Sequence, residues 1–129
     1  MKVTISLALA LSLVSGAALA DCNQSSLKGN WQSYSAGWDG KDAFWKRCTF
    51  KINGKGEVTD GTCQLSRGTP AAMTGEFKLT DEAACTYTAQ LKSPDANRLV
   101  QGTLSRDKIT GMGVGSFPGG TFIAVMTKI

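Results

Sequence analysis

From residue 29 to the end of the chain, apolar and polar residues alternate in short segments that Gly, Asp and Pro residues separate. Side chains of a β-strand point alternately to its two faces, so this period of two predicts strands with one buried face. The connections are short, so consecutive strands should pair as antiparallel neighbours. We predict eight strands, at residues 29–37, 43–53, 57–66, 72–79, 85–92, 98–105, 109–116 and 121–128.

Eight short strands joined in sequence order would leave two unpaired edges unless the sheet closes on itself. Closure removes both edges, and we therefore predict an all-β fold, a single small eight-stranded antiparallel up-and-down barrel. The alternative is a two-sheet β-sandwich. No linker or change of composition interrupts residues 21–129, so we expect them to form one domain.

The first 20 residues have a positively charged start, an apolar middle and the small residues of Ala18-Leu19-Ala20. This order is typical of a bacterial signal peptide, with cleavage predicted after Ala20 and a periplasmic or secreted product. Residues 19–22 also resemble a lipobox, but Asp21 stands where that motif needs a small residue. No later apolar run approaches 20 residues, so we expect no transmembrane segment.

All four cysteines follow the predicted signal peptide, and an even number in an exported chain of this size predicts disulfides. The segment 48–63 has the pattern of a hairpin whose turn contains Lys55-Gly56. Folded symmetrically about this turn, Cys48 lies opposite Cys63, at a distance that suits a disulfide. By elimination, the second predicted disulfide joins Cys22 to Cys85.

The first predicted hairpin contains all three tryptophans. Asp39-Gly40 is a strong signal for a two-residue turn, and a hairpin centred there places Trp31 opposite Cys48 and Tyr34 opposite Trp45. Trp31 then shares a face with Cys48 and the apolar residues that follow it. We expect this face to point into the barrel.

The opposite face of that hairpin carries large aromatic and basic side chains, which would project outward. Exposed aromatics beside arginine are typical of contact surfaces. The alternative is that a loop or a second sheet covers these side chains and makes them a second core. The predicted binding residues are Tyr34, Trp38, Lys41, Trp45 and Arg47.

Gly111, Gly113 and Gly115 occupy every second position of the seventh predicted strand. They therefore share one face of the strand and leave it without side chains. A neighbouring aromatic side chain or a ligand must fill the space above them.

Gly29-Asn30-Trp31, at the start of the first strand, resembles the Gly-x-Trp signature of calycin-type barrels, which include lipocalins, avidins and small bacterial protease-inhibitor barrels. In that superfamily the tryptophan plugs one end of the barrel, and a basic residue of the last strand packs over it. The resemblance implies that Trp31 is the plug and that Lys128 covers it. The Thr-Asp-Tyr motif of lipocalins is absent, and the short chain is more similar to the disulfide-linked inhibitor barrels.

The sequence contains no histidine, which excludes a Ser-His-Asp or Cys-His catalytic unit and a histidine-ligated metal. Most carboxylates lie in predicted turns, where they favour turn geometry. We therefore expect no enzymatic activity, no cofactor and no metal site. The formal net charge of +4 is spread along the chain without a basic cluster, so we expect no nucleic-acid partner.

A stiff disulfide-linked barrel with an aromatic and basic surface predicts an exported binding module, and we expect a protein-directed inhibitor of a hydrolase. The expected partner is another protein or an envelope polymer. Two alternatives are a carrier of a small apolar ligand and a structural or adhesive envelope component. The sequence leaves the oligomeric state open.

Overall fold

The structure, a computed structural model, describes residues 22–129. The predicted signal peptide, residues 1–20, and its cleavage site after Ala20 lie outside the described residues. A one-turn 3₁₀ helix spans Gln24–Leu27 and precedes eight strands. The strands are β1 (Gly29–Trp38), β2 (Ala43–Ile52), β3 (Glu57–Leu65), β4 (Ala71–Asp81), β5 (Thr86–Ser93), β6 (Ala96–Leu104), β7 (Thr110–Phe117) and β8 (Gly120–Lys128).

Each strand pairs antiparallel with the next, and β8 pairs antiparallel with β1, so that the sheet closes into a barrel. The predicted up-and-down barrel is confirmed, and the sandwich alternative is wrong. All eight predicted strands exist, with ends that differ from the predicted ones by at most two residues. Local turn chemistry and strand periodicity were sufficient for the pairings from β1–β2 to β7–β8, because each of these joins strands that are adjacent in sequence. The β8–β1 pairing that closes the sheet joins distant segments.

The predicted register of the first hairpin is wrong by two residues. Trp31 lies opposite Phe50, not opposite Cys48. The turn contains four residues, 39–42, and the Asp39 carboxylate accepts hydrogen bonds from two backbone N–H groups inside it. Because the shift is an even number of residues, every side chain keeps its predicted face. Trp31, Cys48 and Phe50 are accordingly all buried.

Both predicted disulfides are present, joining Cys22 to Cys85 and Cys48 to Cys63. Cys48 lies directly opposite Cys63 in the β2–β3 ladder, as the hairpin pattern predicted. Nearer the turn the register shifts by one residue, at a bulge that contains Asp60 with a positive φ of 50°. Two disulfides are compatible with an oxidising, exported environment.

The N-terminal 3₁₀ helix lies over one end of the barrel and closes it. The indole N–H of Trp31 donates to the carbonyl oxygen of Leu27 at 2.7 Å, and both side chains are fully buried. The ammonium of Lys128 lies 5.2 Å from the centre of the indole ring and donates to the Ser26 carbonyl oxygen at 3.0 Å. Trp31 is therefore buried at this end of the barrel, with the ammonium of Lys128 over its ring.

Gly111, Gly113 and Gly115 point into the barrel, and side chains of the neighbouring strands fill the space above them. A Cβ on Gly115 would lie 2.0 Å from the ring of Phe122, and one on Gly111 would lie 2.8 Å from the Met126 methyl. These glycines allow bulky β8 residues to lie flat against β7. The sequence predicted either a neighbouring side chain or a ligand in this space, and the structure places neighbouring side chains there.

Candidate functional site

The three predicted aromatic residues of the outer surface are exposed. Tyr34, Trp38 and Trp45 have 57%, 53% and 51% of their surface accessible, and Lys41 and Arg47 are exposed beside them. We call these five residues the aromatic face. Their outward orientation is confirmed, and the alternative of a second core is wrong. Their role in binding stays a prediction.

The register of β1 and β2 changes which of these residues are neighbours. Tyr34 lies opposite Arg47, whereas the predicted partner Trp45 lies opposite Ala36. The Tyr34 hydroxyl accepts a hydrogen bond from the amide of Gln32 at 2.8 Å, which restrains the ring on the surface. The directly opposed pair within the face is therefore an aromatic residue and an arginine, two residue types that are enriched at the hot spots of protein interfaces.

The exposed apolar surface continues beyond the predicted residues onto β7 and β8. Val125 lies opposite Tyr34 on one side and opposite Met112 on the other, and Ile123 lies opposite Val114. Met112, Val114 and Ile123 each keep about 60% of their surface accessible. Our sequence reasoning missed these residues, although Met112 and Val114 alternate with the inward glycines and so had to point outward.

The outward positions of β1, β7 and β8 include no charged side chain between residues 30 and 38, 112 and 116, or 121 and 127. On the other side of the barrel, exposed charged residues alternate along β4, including Glu76 and Lys78. A contiguous uncharged, apolar surface on one side of a small protein is typical of a contact region.

The end of the barrel opposite the 3₁₀ helix is open. We call it the barrel mouth, a cavity of about 500 Å³ between the turns that follow β1, β3, β5 and β7. Phe44, Leu65 and Phe117 form apolar walls, and Lys46 and Arg98 form the floor. The rings of Phe44 and Phe117 pack edge to face, with 5.7 Å between their centroids.

The floor of the mouth contains a buried charged cluster. Lys46 and Arg98 are only 4% and 8% exposed. A guanidinium nitrogen of Arg98 lies 2.6 Å from a carboxylate oxygen of Asp95, and another donates to the Ser93 hydroxyl at 2.7 Å. The guanidinium also lies 5.3 Å from the centre of the Phe117 ring, at cation–π distance.

These contacts shift the pKa values of the cluster. Burial, together with the nearby Arg98 charge, lowers the pKa of Lys46 to about 8, although Asp95 acts in the opposite direction. Burial tends to raise the pKa of Asp95, but hydrogen bonds from Arg98 and Ser93 and the charge of Lys46 outweigh it. The pKa of Asp95 is therefore held well below its usual value, and the carboxylate stays ionised.

Sequence reasoning missed this cluster. Lys46 lies between the outward Trp45 and Arg47, so strand alternation did place its side chain inside. Asp95 lies in the β5–β6 turn and Arg98 near the start of β6, and their proximity to Lys46 depends on closure of the barrel. Only the inward position of a lysine on an alternating strand could have indicated it.

Below the floor, the interior of the barrel is almost filled. The remaining cavity measures about 50 Å³ and is lined by Ser33, Ser35 and Lys46 on the mouth side. This volume holds one or two water molecules, whereas binding sites for small molecules are usually several hundred Å³.

Within the described part of the chain, no group of three His, Cys, Asp or Glu side chains is placed to hold a metal ion. Among those same residues, no helix has the length and apolar character needed to cross a membrane.

Comparison with known proteins adds little to this geometry. No protein-family model and no curated protein sequence matches the chain. The crystal structure of Rv2717c from M. tuberculosis is similar at 17% sequence identity, over 81% of this chain and 94% of that one, with a TM-score of 0.44. This likeness carries no argument about function, and membership of the calycin superfamily stays an expectation.

Proposed function

We propose that this chain is an exported, non-enzymatic binding module that captures another protein through the aromatic face and inhibits it, with a hydrolase as the expected target. The observation that carries this proposal is the exposure of Tyr34, Trp38 and Trp45 on one side of a closed, disulfide-linked barrel. Large aromatics held on a rigid surface bind with little loss of conformational entropy.

The adjoining surface of β7 and β8 supports a macromolecular partner. The uncharged patch that extends across β1, β7 and β8 suits a broad protein surface better than a single small molecule. Arg47 and Lys41 at its edge would add charge complementarity to an acidic partner surface. An envelope polymer would also contact these side chains, and it remains the second candidate because sugars stack on exposed aromatics.

The alternative of a small apolar-ligand carrier has less support. Its ligand would need space inside the barrel, and the interior cavity of about 50 Å³ is too small for one. A structural or adhesive role predicts self-association through the same uncharged surface, which sedimentation of the purified protein at several concentrations measures directly.

The test is capture from the native extracellular or periplasmic fraction, comparing the wild type with the double variant Trp38→Ala, Trp45→Ala. We expect the variant to lose the captured protein while its thermal unfolding stays close to that of the wild type, because both side chains are half exposed. The captured protein is then identified and its activity measured with and without the barrel.

A matched control is the double variant Glu76→Ala, Lys78→Ala on the charged side of the barrel, which should retain capture. Unchanged capture by the tryptophan variant would overturn the assignment of the surface. A captured protein whose activity the barrel does not lower would overturn inhibition while leaving binding in place.

A further inference from the structure

The cluster on the floor of the mouth has unequal charges. It contains two buried cations, Lys46 and Arg98, and one carboxylate, Asp95, whose side chain is partly exposed, so the cluster itself carries one excess positive charge. Burying a charge without a partner is costly, and chains usually avoid it unless the charge has a use.

The hydrogen-bonding capacity of Arg98 is largely used inside the protein. Its two terminal nitrogens contact the Asp95 carboxylate, the Ser93 hydroxyl and the Ala96 carbonyl oxygen. One face of the guanidinium lies near the Phe117 ring. Arg98 and Asp95 therefore form an ion pair in which most hydrogen-bond donors of the guanidinium already have acceptors within the protein.

Lys46 has much weaker contacts. Its ammonium donates to the Ser93 hydroxyl at 3.4 Å and lies 3.9 Å from the nearer oxygen of Asp95, beyond hydrogen-bond distance. An ammonium has three donors, so these two contacts leave at least one for a further acceptor, and Lys46 lines the mouth. The excess charge of the cluster is thus concentrated on this group.

The charged residues at the rim do not contact Lys46. Arg67 donates to the Asp42 carboxylate at 3.2 Å and lies 4.0 Å from that of Asp39, so the rim has two carboxylates for one guanidinium and carries one excess negative charge. Among the described residues, the carboxylate within 4.0 Å of the Lys46 ammonium is that of Asp95. The cavity between rim and floor, about 500 Å³, has the size of a small-ligand site, and its lining combines the apolar side chains of Phe44, Leu65 and Phe117 with polar and charged ones.

We propose that the barrel mouth is a binding site for a carboxylate, with its oxygens at the Lys46 ammonium and its hydrocarbon part against the rings of Phe44 and Phe117. The carboxylate of the ligand would then pair with the Lys46 ammonium, as the Asp95 carboxylate already pairs with Arg98. The carboxylate belongs either to a free small acid or to an acidic side chain of a protein. Trp45 of the aromatic face also lines the mouth, whereas Tyr34 and Trp38 do not, so the proposal does not depend on these two residues.

The experiment follows backbone amide signals of the folded protein by NMR during titration with sodium benzoate at constant ionic strength. We expect saturable shifts at residues around the mouth, and no such shifts with benzamide, which has the same shape without the charge. Titration with N-acetylglutamate amide distinguishes the sources, because its carboxylate is that of a peptide side chain. Tighter binding of one acid identifies its source.

The variant Lys46→Met should weaken benzoate binding by about tenfold or more, because a partly desolvated charge pair is lost. Lys51→Met is the matched control, since Lys51 lies on the same strand, points outward and is mostly exposed. If Lys46→Met does not fold, the wild type still gives an answer: binding should weaken as pH rises from 7 to 9.5, because Lys46, with a pKa of about 8, loses its charge while benzoate keeps its own.

Absence of saturable shifts with both acids up to about 50 mM, a range in which even very weak sites fill, would overturn the proposal. Equal binding of benzamide, or binding unaffected by both Lys46→Met and pH, would also overturn it. Trp38→Ala should bind benzoate normally. The proposed capture of a protein and the proposed carboxylate site can therefore fail separately.

Discussion

The two ends of this barrel contain the same kind of contact and use it differently. At the closed end, Lys128 lies 5.2 Å from the centre of the Trp31 ring, and at the mouth, Arg98 lies 5.3 Å from the centre of the Phe117 ring. The cation of the closed end donates to a backbone carbonyl of the 3₁₀ helix, which covers it. Among the described residues, no helix covers the mouth, which contains a second cation, Lys46. Its ammonium lies 3.9 Å from the Asp95 carboxylate that pairs with Arg98.

This difference separates an end of the barrel that stabilises the fold from an end that is available for binding. A backbone carbonyl is a fixed acceptor that the chain supplies itself, so the closed end is complete without a partner molecule. At the mouth, two buried cations, Lys46 and Arg98, share the Asp95 carboxylate. An external anion bound at Lys46 would give this ammonium a partner of opposite charge. We therefore expect substitutions at the closed end to act mainly on folding and substitutions at the mouth to act on pH dependence and binding.

The largest effect should follow Trp31→Ala. The substitution leaves a cavity in a fully buried position and removes the hydrogen bond to Leu27, and we expect a loss of about 5 kcal/mol in the free energy of unfolding. Urea denaturation measures it. Trp38→Ala, at an exposed position, should change stability by about 0.5 kcal/mol or less. Similar losses in the free energy of unfolding for Trp31→Ala and Trp38→Ala would contradict the conclusion that the closed end stabilises the fold.

The disulfide at the closed end should contribute more than the one between β2 and β3. Cys22 and Cys85 are separated by 63 residues and Cys48 and Cys63 by 15, so the loop-entropy estimate is about 4 kcal/mol for the first and about 3 kcal/mol for the second. Denaturation of the two double serine variants compares them. A larger loss for the shorter loop would show that entropy of the unfolded chain does not decide the order.

Asp95→Asn should cost about 2 kcal/mol at neutral pH, because it leaves two buried cations without their carboxylate. The pKa of Asp95 is lowered in the folded protein, so its stabilising contribution is present above the unfolded value of 3.8 and decreases as pH falls below that value. Stability curves of the variant and wild type should therefore converge in acid. A difference independent of pH would contradict the ionised carboxylate.

The smallest effect concerns Lys46→Met. Removing the excess charge should raise stability by about 1 kcal/mol at pH 7. The pKa of Lys46 is lowered to about 8 from 10.5, so the unfolded wild type binds more protons between these values, and the wild type gains stability as pH rises through them. The advantage of the variant should disappear near pH 10. Since the pKa of Tyr87 is raised in both proteins, its titration cancels in the comparison.

Much of the fold followed from local pattern. The alternation in β7, with Gly111 and Gly113 inward and Met112 outward, fixes both the face and the need for bulky neighbours. The hairpin around Lys55-Gly56 similarly placed Cys48 opposite Cys63. Both inferences use residues close in sequence, where chain geometry leaves few choices.

The register of the first hairpin shows where local pattern was insufficient. The sequence Asp39-Gly40 allows a two-residue turn, but the Asp39 carboxylate instead organises a four-residue turn through bonds to Lys41 and Asp42. The energies of alternative turns differ by little, so packing of the attached strands decides between them. The outward orientation of the aromatic face was still predicted correctly, because a shift by an even number of residues leaves each side chain on the same face of the sheet.

The sequence by itself determined the strands, their faces, the disulfide partners and the exposure of Tyr34, Trp38 and Trp45, because each follows from spacing along the chain. Only the tertiary structure decided that Met112, Val114 and Ile123 extend that surface and that Lys46 meets Asp95 and Arg98. These groupings join strands that are distant in sequence. Their proximity arises when β8 pairs with β1 and the sheet closes, which no local pattern encodes.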